Sequence, residues 1–302
     1  MRKLLVLALV GLLAQLVDGS LGMGYGVTSS TLLLAGGLGP AAASAAVHLS
    51  EIGTSLVSGA SHHAFGNVDW RTVGILALPG FVGAFLGATL LVRLDAAAAV
   101  PVVAALLLAL GAYVTWRFLA APRRLRFNPR PEAWFLAPMG LFAGALDAIG
   151  GGGWGPVGTT SLLSSGRLEP RKVVGSVDTA EFVVSIGGSL GFLLGLGSAG
   201  VSWAFAGALL VGGVVAAPLA ALVVRHLRPR ILGVAAGGVI VLTNLKTLAD
   251  SLGASGITVA LLASVVFTLW VLWIAWAVKL EQAVDADATR YLPRGTPVVS
   301  RH

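Results

Sequence analysis

The chain has 302 residues, of which 56% are hydrophobic and only 11% are charged, and its mean hydropathy is +0.90. A soluble domain carries charge at roughly 25% of its positions, so this composition excludes an ordinary soluble protein. The absence of cysteine excludes disulfides, thiolate metal sites and cysteine nucleophiles. The net charge of +7 comes mainly from loops between apolar segments, which is typical of membrane proteins, and we predict no nucleic-acid partner.

The apolar segments follow one another in a regular order along the chain. Their continuous hydrophobicity favours helices over barrel strands, and each full span has about the 20 residues that cross a bilayer. We predict an all-α polytopic membrane protein with a broken segment at 4–36, spans at 41–64, 71–94 and 97–119, a second broken segment at 133–165, and spans at 171–196, 201–224, 230–249 and 256–279.

The order repeats because the two halves of the chain are related in sequence. Eight equivalent positions carry the alignment: Asp18 and Asp147, Gly22 and Gly151, Gly24 and Gly153, Tyr25 and Trp154, Gly26 and Gly155, Thr31 and Thr160, Glu51 and Glu181, and Ser55 and Ser185. Internal repeats of this kind are common in secondary transporters. The predicted organisation is a first repeat at 1–119, an Arg-rich linker at 120–131, a second repeat at 132–250, an extra helix at 251–280 and a polar tail at 281–302.

The distribution of basic residues predicts how the broken segments are threaded. If each segment crosses once, nine of the 20 Lys and Arg lie on one side and 11 on the other. If each is a hairpin that returns to its starting side, four lie on one side and 16 on the other. The positive-inside rule favours the hairpins and places the linker and C-terminus in the cytoplasm of a bacterium, with the protein in its inner membrane. Each half then crosses an odd number of times, so we predict two inverted repeats, each a broken Gly-rich hairpin plus three transmembrane helices.

Each broken segment contains a Gly-rich tip that leads into a short helix bearing hydroxyl groups. Glycine permits positive φ and close approach of a ligand, and the N–H groups and dipole of a helix start favour an anion. The alternative is that these glycines only permit close helix packing. Because the pattern occurs in both halves, we predict an anion site formed by Gly22, Gly24, Gly26, Thr28, Ser29, Thr31, Gly151, Gly153, Gly155, Thr159 and Thr160.

Polar side chains follow one face of the span after each tip, at spacings of three and four residues. Ionisable groups at membrane depth usually face a bundle interior or a water pathway. We predict a coupling or gating role for Glu51, Glu181, His48, Asp178, His62 and His63, with proton coupling through Glu51 or Glu181. The alternative is that the two glutamates brace the hairpins through hydrogen bonds. Neighbouring residues on a helix point about 100° apart, so the adjacent histidines are not expected to share a metal, and we predict no metal or other cofactor.

Six further residues are predicted to support the site: Asp18, Asp147, Ser55, Ser185, Asn244 and Lys246. The two aspartates precede the tips, where they are expected to cap backbone N–H groups or to orient them towards a substrate. Lys246 could meet a substrate anion or a carboxylate, or could extend only to the membrane interface.

Several motifs together resemble the TauE/SafE sulfite-exporter family. They are DxxxGxGxG from Asp18, DxxGGGGWGP from Asp147, Ser50-Glu51, HHxxGNVDW at 62–70 and EPRKVVGSVDTAEF at 169–182. The resemblance covers nearly the whole membrane region. It implies secondary transport of sulfite, organosulfonates or related small anions, often as efflux driven by an ion gradient. Leu21, Met23 and Tyr25 stand where many members carry a plainer Gly-rich run, and this departure bears on the identity of the anion.

These patterns favour a small-anion exporter, with an inorganic or organic anion and the lipid bilayer as its partners. The alternatives are a cation or metal pathway through the membrane carboxylates and the pair His62 and His63, or a non-transporting scaffold or sensor. No nucleophile–base pair or HExxH motif predicts an enzyme. The last span has no repeat partner and is a candidate for a homodimer contact.

Overall fold

The computed structural model describes residues 2–120, 132–165, 167–223 and 229–290. Within these ranges the chain forms eleven α-helices, one short 3-10 helix and no strand, which confirms the predicted all-α class. The predictions for nearly all of the Arg-rich linker and for the last twelve residues of the tail lie outside the described residues.

The helices fall into two sets of five, followed by one more. The first set is α1 (Arg2–Leu21), α2 (Tyr25–Ala35), α3 (Pro40–Ala64), α4 (Trp70–Arg93) and α5 (Ala96–Leu119). The second set is α6 (Ala133–Gly150), α7 (Trp154–Ser165), α8 (Pro170–Leu196), α9 (Trp203–Val223) and α10 (Pro229–Ser251). The last helix, α11 (Gly256–Arg290), continues well beyond the predicted end at 279, and the ion pair between Arg230 and Glu281, at 3.5 Å, lies on this extension.

Five of these helices are long and apolar enough to cross a membrane: Trp70–Arg93, Ala97–Leu119, Ala133–Gly150, Arg171–Leu196 and Gly256–Ala283. The stretch Trp203–Pro218 is shorter but also apolar. The side chains of the span in α11 face outwards, as expected of a helix surrounded by lipid. The structure therefore has several candidate membrane spans, in agreement with a polytopic membrane protein.

The helix breaks fall at residues 22–24 and 151–153, inside the two segments predicted to be broken. α6 ends because Gly151 adopts a left-handed conformation, with φ of 68°, which only glycine takes without strain. The later helices begin at ordinary start signals. Pro40 occupies the first turn of α3, and the Asp69 carboxylate accepts a hydrogen bond from the Thr72 N–H at the start of α4.

The most extensive contacts between helices show which helices run in the same direction. A Cβ placed on Gly140 would lie 2.9 Å from the Leu76 carbonyl oxygen, and one on Gly87 would lie 3.1 Å from Ala148, so α4 and α6 run parallel. Glycines of α8 contact successive turns of α4 in the same sense. Small residues at these contacts bring the helix backbones close together, which is how helices pack within a membrane.

Two other pairs of helices run in opposite directions, and each pair takes one helix from each half. In α3 and α8, Ser55 bonds to Glu181 and Ser58 bonds to Asp178, so later residues of α3 meet earlier residues of α8. In α5 and α10, Gly111 packs against Ile240, whereas Phe118, which lies further along α5, packs against Gly233, which lies earlier in α10. These two antiparallel pairs each join one half to the other.

Candidate functional site

The two Gly-rich tips, residues 18–26 and 147–155, lie against each other. We call this region, together with the facing parts of α3 and α8, the junction of the halves. Gly22, Gly24 and Gly151 have positive φ values of 65°, 131° and 68°, which interrupt the helix in each broken segment. A Cβ on Gly26 would lie only 2.7 Å from the Gly151 carbonyl oxygen. A Cβ on Gly155 would lie 2.6 Å from Met23. The tips are therefore in backbone contact, and the glycines make that contact sterically feasible.

Two reciprocal hydrogen bonds connect the tips. The Ser30 hydroxyl donates to the Gly151 carbonyl at 2.7 Å, and the Thr159 hydroxyl donates to the Gly22 carbonyl at 2.5 Å. Ser30 aligns with Thr159 in the repeat, and Gly22 aligns with Gly151, so each half makes the same bond to the other.

The carboxylates of Asp18 and Asp147 occupy the starts of the short helices. Asp18 Oδ1 accepts from the Tyr25 N–H at 3.2 Å. Asp147 Oδ1 accepts from the N–H groups of Gly153 and Trp154, at 2.7 and 3.0 Å. These N–H groups are among those that have no partner inside a helix, and the carboxylates satisfy them as caps.

Among the other hydroxyl groups predicted for the anion site, some form hydrogen bonds within the protein and some do not. Thr31 accepts from the Asn244 side-chain amide at 2.8 Å, and Thr160 accepts from the Tyr113 hydroxyl at 2.7 Å. Thr160 also donates to the Pro156 carbonyl. The hydroxyls of Thr28 and Ser29 are buried and have no hydrogen-bond partner among the described residues. Buried hydroxyls without partners are unfavourable, so the first half retains polar groups that a ligand could satisfy.

The polar faces of α3 and α8 meet beside the tips. Ser55 donates to Glu181 Oε2 at 3.1 Å, and Ser185 lies 3.4 Å from Glu51 Oε2 in the matching bond. The two predicted coupling glutamates thus face each other's helices across the junction. Both are buried in it, with Glu51 1% and Glu181 7% exposed.

The ionisable residues of the junction form two groups of three that occupy equivalent positions in the two halves. One, the histidine triad, consists of His48, Glu51 and Asp147; the other, the acidic triad, consists of Asp178, Glu181 and Asp18. Within each triad one ligand atom from every residue lies within 4.8 Å of the others. Each triad takes two residues from one half and one from the other, so both lie where the halves join.

His62 and His63, the adjacent histidines for which a gating role was predicted, have different surroundings. His62 Nε2 lies 3.5 Å from Asp178 Oδ2 and extends the acidic triad towards the end of α3. His63 is exposed and packs edge-on against Trp70, with ring centroids 5.4 Å apart. The two side chains do not share a ligand position.

Lys246 lies away from the junction. Its ammonium group pairs with Asp250 at 2.5 Å, and both side chains are at least half exposed. The two residues line an open cleft between α2, α5 and α10, together with Leu34 and Thr243. Asn244, on the same helix, instead points into the bundle and reaches Thr31.

The junction contains more negative than positive side chains. Five carboxylates are buried there, from Asp18, Glu51, Asp147, Asp178 and Glu181. The ion pairs found among the described residues connect the junction carboxylates to histidines only, and to no Lys or Arg. Burying an uncompensated carboxylate is very unfavourable, so protons or bound cations must neutralise part of this charge. The arrangement can therefore bind and release positive charge.

Sequence reasoning missed several residues that complete the junction. Ser30 bonds across the tips, Ser44 donates to the Ala148 carbonyl at 2.7 Å, and the Tyr25 hydroxyl donates to Ser50 at 3.0 Å. The repeat alignment pairs Ser30 with Thr159, a residue already predicted, and this signal was sufficient to find it. The partners of Ser44 and Tyr25 are fixed by tertiary packing and have no such signal.

Comparisons with known proteins agree with this architecture. The family model described as Sulfite exporter TauE/SafE matches residues 7–247. The chain is 47% identical over 277 residues to the probable membrane transporter protein YtnM of Bacillus subtilis (strain 168), covering 89% of this chain and 91% of that protein. No solved structure matches.

Proposed function

Because this chain belongs to the Sulfite exporter TauE/SafE family, and is thus a membrane transporter rather than an enzyme, we propose that it exports a small oxyanion. Sulfite or an organosulfonate is the substrate class that we favour, and the inner membrane of a bacterium is the proposed location. The observation that carries the proposal is the junction, where two equivalent tips meet among buried polar groups. A binding site between two repeats, near the middle of the membrane, is typical of secondary transporters.

We infer that the two halves are inverted repeats and that each broken segment is a hairpin. Support comes from helix direction, because α6 and α8 both run parallel to α4 and the chain must reverse between them. The antiparallel contacts of α3 with α8 and of α5 with α10 relate the halves in the opposite sense. Transport then involves movement of one half relative to the other around the junction.

The proposed anion site lies between the tips, at the starts of α2 and α7. In the present conformation the backbone at Gly152 packs directly on the Val27 amide, so one tip covers the helix start of the other. The tips must therefore separate to admit an anion. The exposed N–H groups and the hydroxyls of Thr28 and Ser29 would then bind the oxyanion.

Proton coupling is proposed for the carboxylates beside the tips. Glu51 Oε1 would lie 2.9 Å from a Cβ on Gly26, so this carboxyl group is adjacent to the proposed anion site. An anion cannot approach an ionised carboxylate at that distance without strong repulsion, so anion and proton binding to Glu51 are expected to be linked. The Glu51→Gln and Glu181→Gln variants are expected to transport without the pH dependence of the wild-type protein.

Flux measurements in proteoliposomes test the proposal. Liposomes containing the purified protein are loaded with radiolabelled sulfite or sulfoacetate, with and without an imposed proton gradient. We expect saturable efflux of at least one of these anions, at a rate that changes with the imposed proton gradient. If none of the small oxyanions shows saturable flux from these liposomes, the result would contradict the proposal and favour a scaffold role.

The orientation of the protein is tested separately. The proposal places the C-terminal tail in the cytoplasm, and the chain has no native cysteine. A Ser300→Cys variant in intact cells is expected to resist a membrane-impermeant maleimide and to react after the cells are permeabilised. Labelling in intact cells would reverse the proposed topology.

A further inference from the structure

We propose that the histidine triad of His48, Glu51 and Asp147 binds a divalent transition-metal cation at the junction of the two halves. Three atoms carry the argument: His48 Nε2, Glu51 Oε1 and Asp147 Oδ2. Each is buried, each has no hydrogen-bond partner among the described residues, and each belongs to a different member of the triad. Native proteins seldom leave one buried polar atom unsatisfied, and three in one triad indicate a ligand.

The hydrogen bond on the other nitrogen of His48 prepares the ring to bind a cation. His48 Nδ1 lies 3.0 Å from the Ser44 carbonyl oxygen, which can only accept, so Nδ1 carries the proton. In the neutral ring Nε2 then presents a lone pair to the triad. A backbone carbonyl on the second nitrogen is a common support for a metal-bound histidine.

The spacing of the ligand atoms suits a metal ion. His48 Nε2 and Asp147 Oδ2 are 3.3 Å apart, yet no hydrogen bond joins them. Nitrogen and oxygen ligands about 2.0–2.2 Å from one metal lie roughly 3.0–3.5 Å from each other. Glu51 belongs to the same group, since one ligand atom from each member of the triad lies within 4.8 Å of the others.

Charge also favours a divalent ion. A histidine that binds a metal is neutral, so a bound cation would replace the ion pair of His48 with Asp147. The two carboxylates then contribute a charge of about −2, which one divalent cation balances in this water-poor position. No Lys or Arg among the described residues forms an ion pair with the triad. One imidazole with two carboxylates is a ligand set suited to zinc, iron, cobalt or manganese, and less suited to sodium or calcium, which prefer oxygen alone.

The acidic triad provides an internal comparison, because hydrogen bonds from α3 reach two of its carboxylates. Asp178 Oδ2 accepts from Ser58 at 2.8 Å and lies 3.5 Å from His62, and Glu181 accepts from Ser55. The position equivalent to Ser58 in the second half is Gly188, which packs on the His48 ring and offers no donor. The two triads thus differ in the groups that surround them, and the buried triad atoms found without a hydrogen-bond partner all belong to the histidine triad.

Metal titration of the purified full-length protein tests this inference. The protein is prepared in detergent without a histidine tag, stripped with a chelator and titrated with cobalt(II) by calorimetry and by its visible d–d absorption. We expect one equivalent of cobalt per chain. The His48→Phe variant, which keeps a ring beside Phe192, and the Glu51→Gln variant should bind at least about 100-fold more weakly.

The matched control is Asp178→Asn, which alters the equivalent position of the acidic triad and should bind cobalt as the wild-type protein does. No stoichiometric binding to the wild-type protein would overturn the inference. Binding that survives His48→Phe but is lost in Asp178→Asn would also overturn it and assign the cation to the acidic triad. The titration is independent of anion flux, so the proposed function can fail while the metal site stands, and the reverse also holds.

A spectroscopic measurement keeps the inference testable if the His48→Phe variant does not fold. Asparagine replaces the chain's other four histidines, which are His62, His63, His226 and His302. Pulsed EPR of this protein loaded with manganese(II) should show modulation by one nitrogen, which only His48 can supply as an imidazole. Loaded protein without nitrogen modulation would contradict the proposed ligand set.

Discussion

The two halves of the junction are alike in their backbone contacts and different in their charged groups. Each tip donates one hydroxyl to the facing carbonyl, from Ser30 in one direction and Thr159 in the other. Beside the tips, His48 of the first half occupies the position equivalent to Asp178 of the second half. The shared contacts hold the tips together, and the unequal residues give the two triads different ligand preferences.

The tips also differ in how they fill the space between them. The first contributes the buried side chains of Met23 and Tyr25, each 1% exposed. The second places bare backbone at Gly152, the position equivalent to Met23, against the Val27 amide. Both tips bury an aromatic side chain, since Trp154 stands at the position equivalent to Tyr25. At the position of Met23 and Gly152, however, the first half supplies volume and the second allows close approach. Substitutions at these two residues should therefore not have equivalent effects.

The largest expected effect is at Gly152. A Cβ there would overlap the backbone of Gly26 and Val27, so Gly152→Ala should destabilise the protein by about 1–3 kcal/mol or more and reduce anion flux. The matched control is Gly74→Ala, since a Cβ on this helical glycine would meet nothing within 4 Å and should stabilise by up to about 1 kcal/mol. Thermal unfolding in detergent measures both changes. Equal stability of the two variants would contradict the observed contact between the tips.

An intermediate effect is expected where the tips are capped unequally. Asp147 satisfies two N–H groups and Asp18 only one. Alanine and asparagine both remove the charge, but asparagine keeps an oxygen that accepts these bonds. The stability difference between the Ala and Asn variants should be about 1 kcal/mol at Asp18 and about twice that at Asp147. A larger difference at Asp18 would show that the caps do not determine the stability of the tips.

The smallest effect is expected outside the junction, at Lys246. Its ion pair with Asp250 is mostly exposed, and such pairs contribute roughly 0–1 kcal/mol. Lys246→Gln should change the free energy of unfolding by less than about 0.5 kcal/mol and leave the apparent affinity for the anion unaltered. A marked rise in KM for efflux would restore Lys246 as a substrate-binding residue and extend the site beyond the junction.

The sequence predicted the fold better than it predicted the contacts of the site. Continuous hydrophobicity predicted helices, and the paired Gly-rich motifs located both helix breaks. The spacing of His48, Glu51 and Ser55 placed them on one helix face. The partners of Glu51 and Ser55, however, are more than 100 residues away in sequence and are determined by how α3 packs on α8.

The same limit explains why no metal site was predicted from the sequence. Asp147 approaches His48 only because α6 packs beside α3. The lack of a hydrogen-bond donor at Gly188 matters only because α8 packs on the His48 ring. The adjacent histidines His62 and His63, by contrast, stood out in the sequence but point to different surroundings.

The central claim is that transport requires the two halves to move about their junction, and a reversible cross-link tests it most directly. A Cβ on Gly59 would lie 3.6 Å from the Thr179 Cβ, which is within the range of a disulfide, and the chain has no other cysteine. In Gly59→Cys, Thr179→Cys protein, oxidation should form a disulfide between α3 and α8 and stop anion efflux, and reduction should restore it, while each single-cysteine variant stays active throughout. Full efflux through the cross-linked protein would contradict movement of the halves, and failure to form the disulfide would contradict the antiparallel contact between α3 and α8.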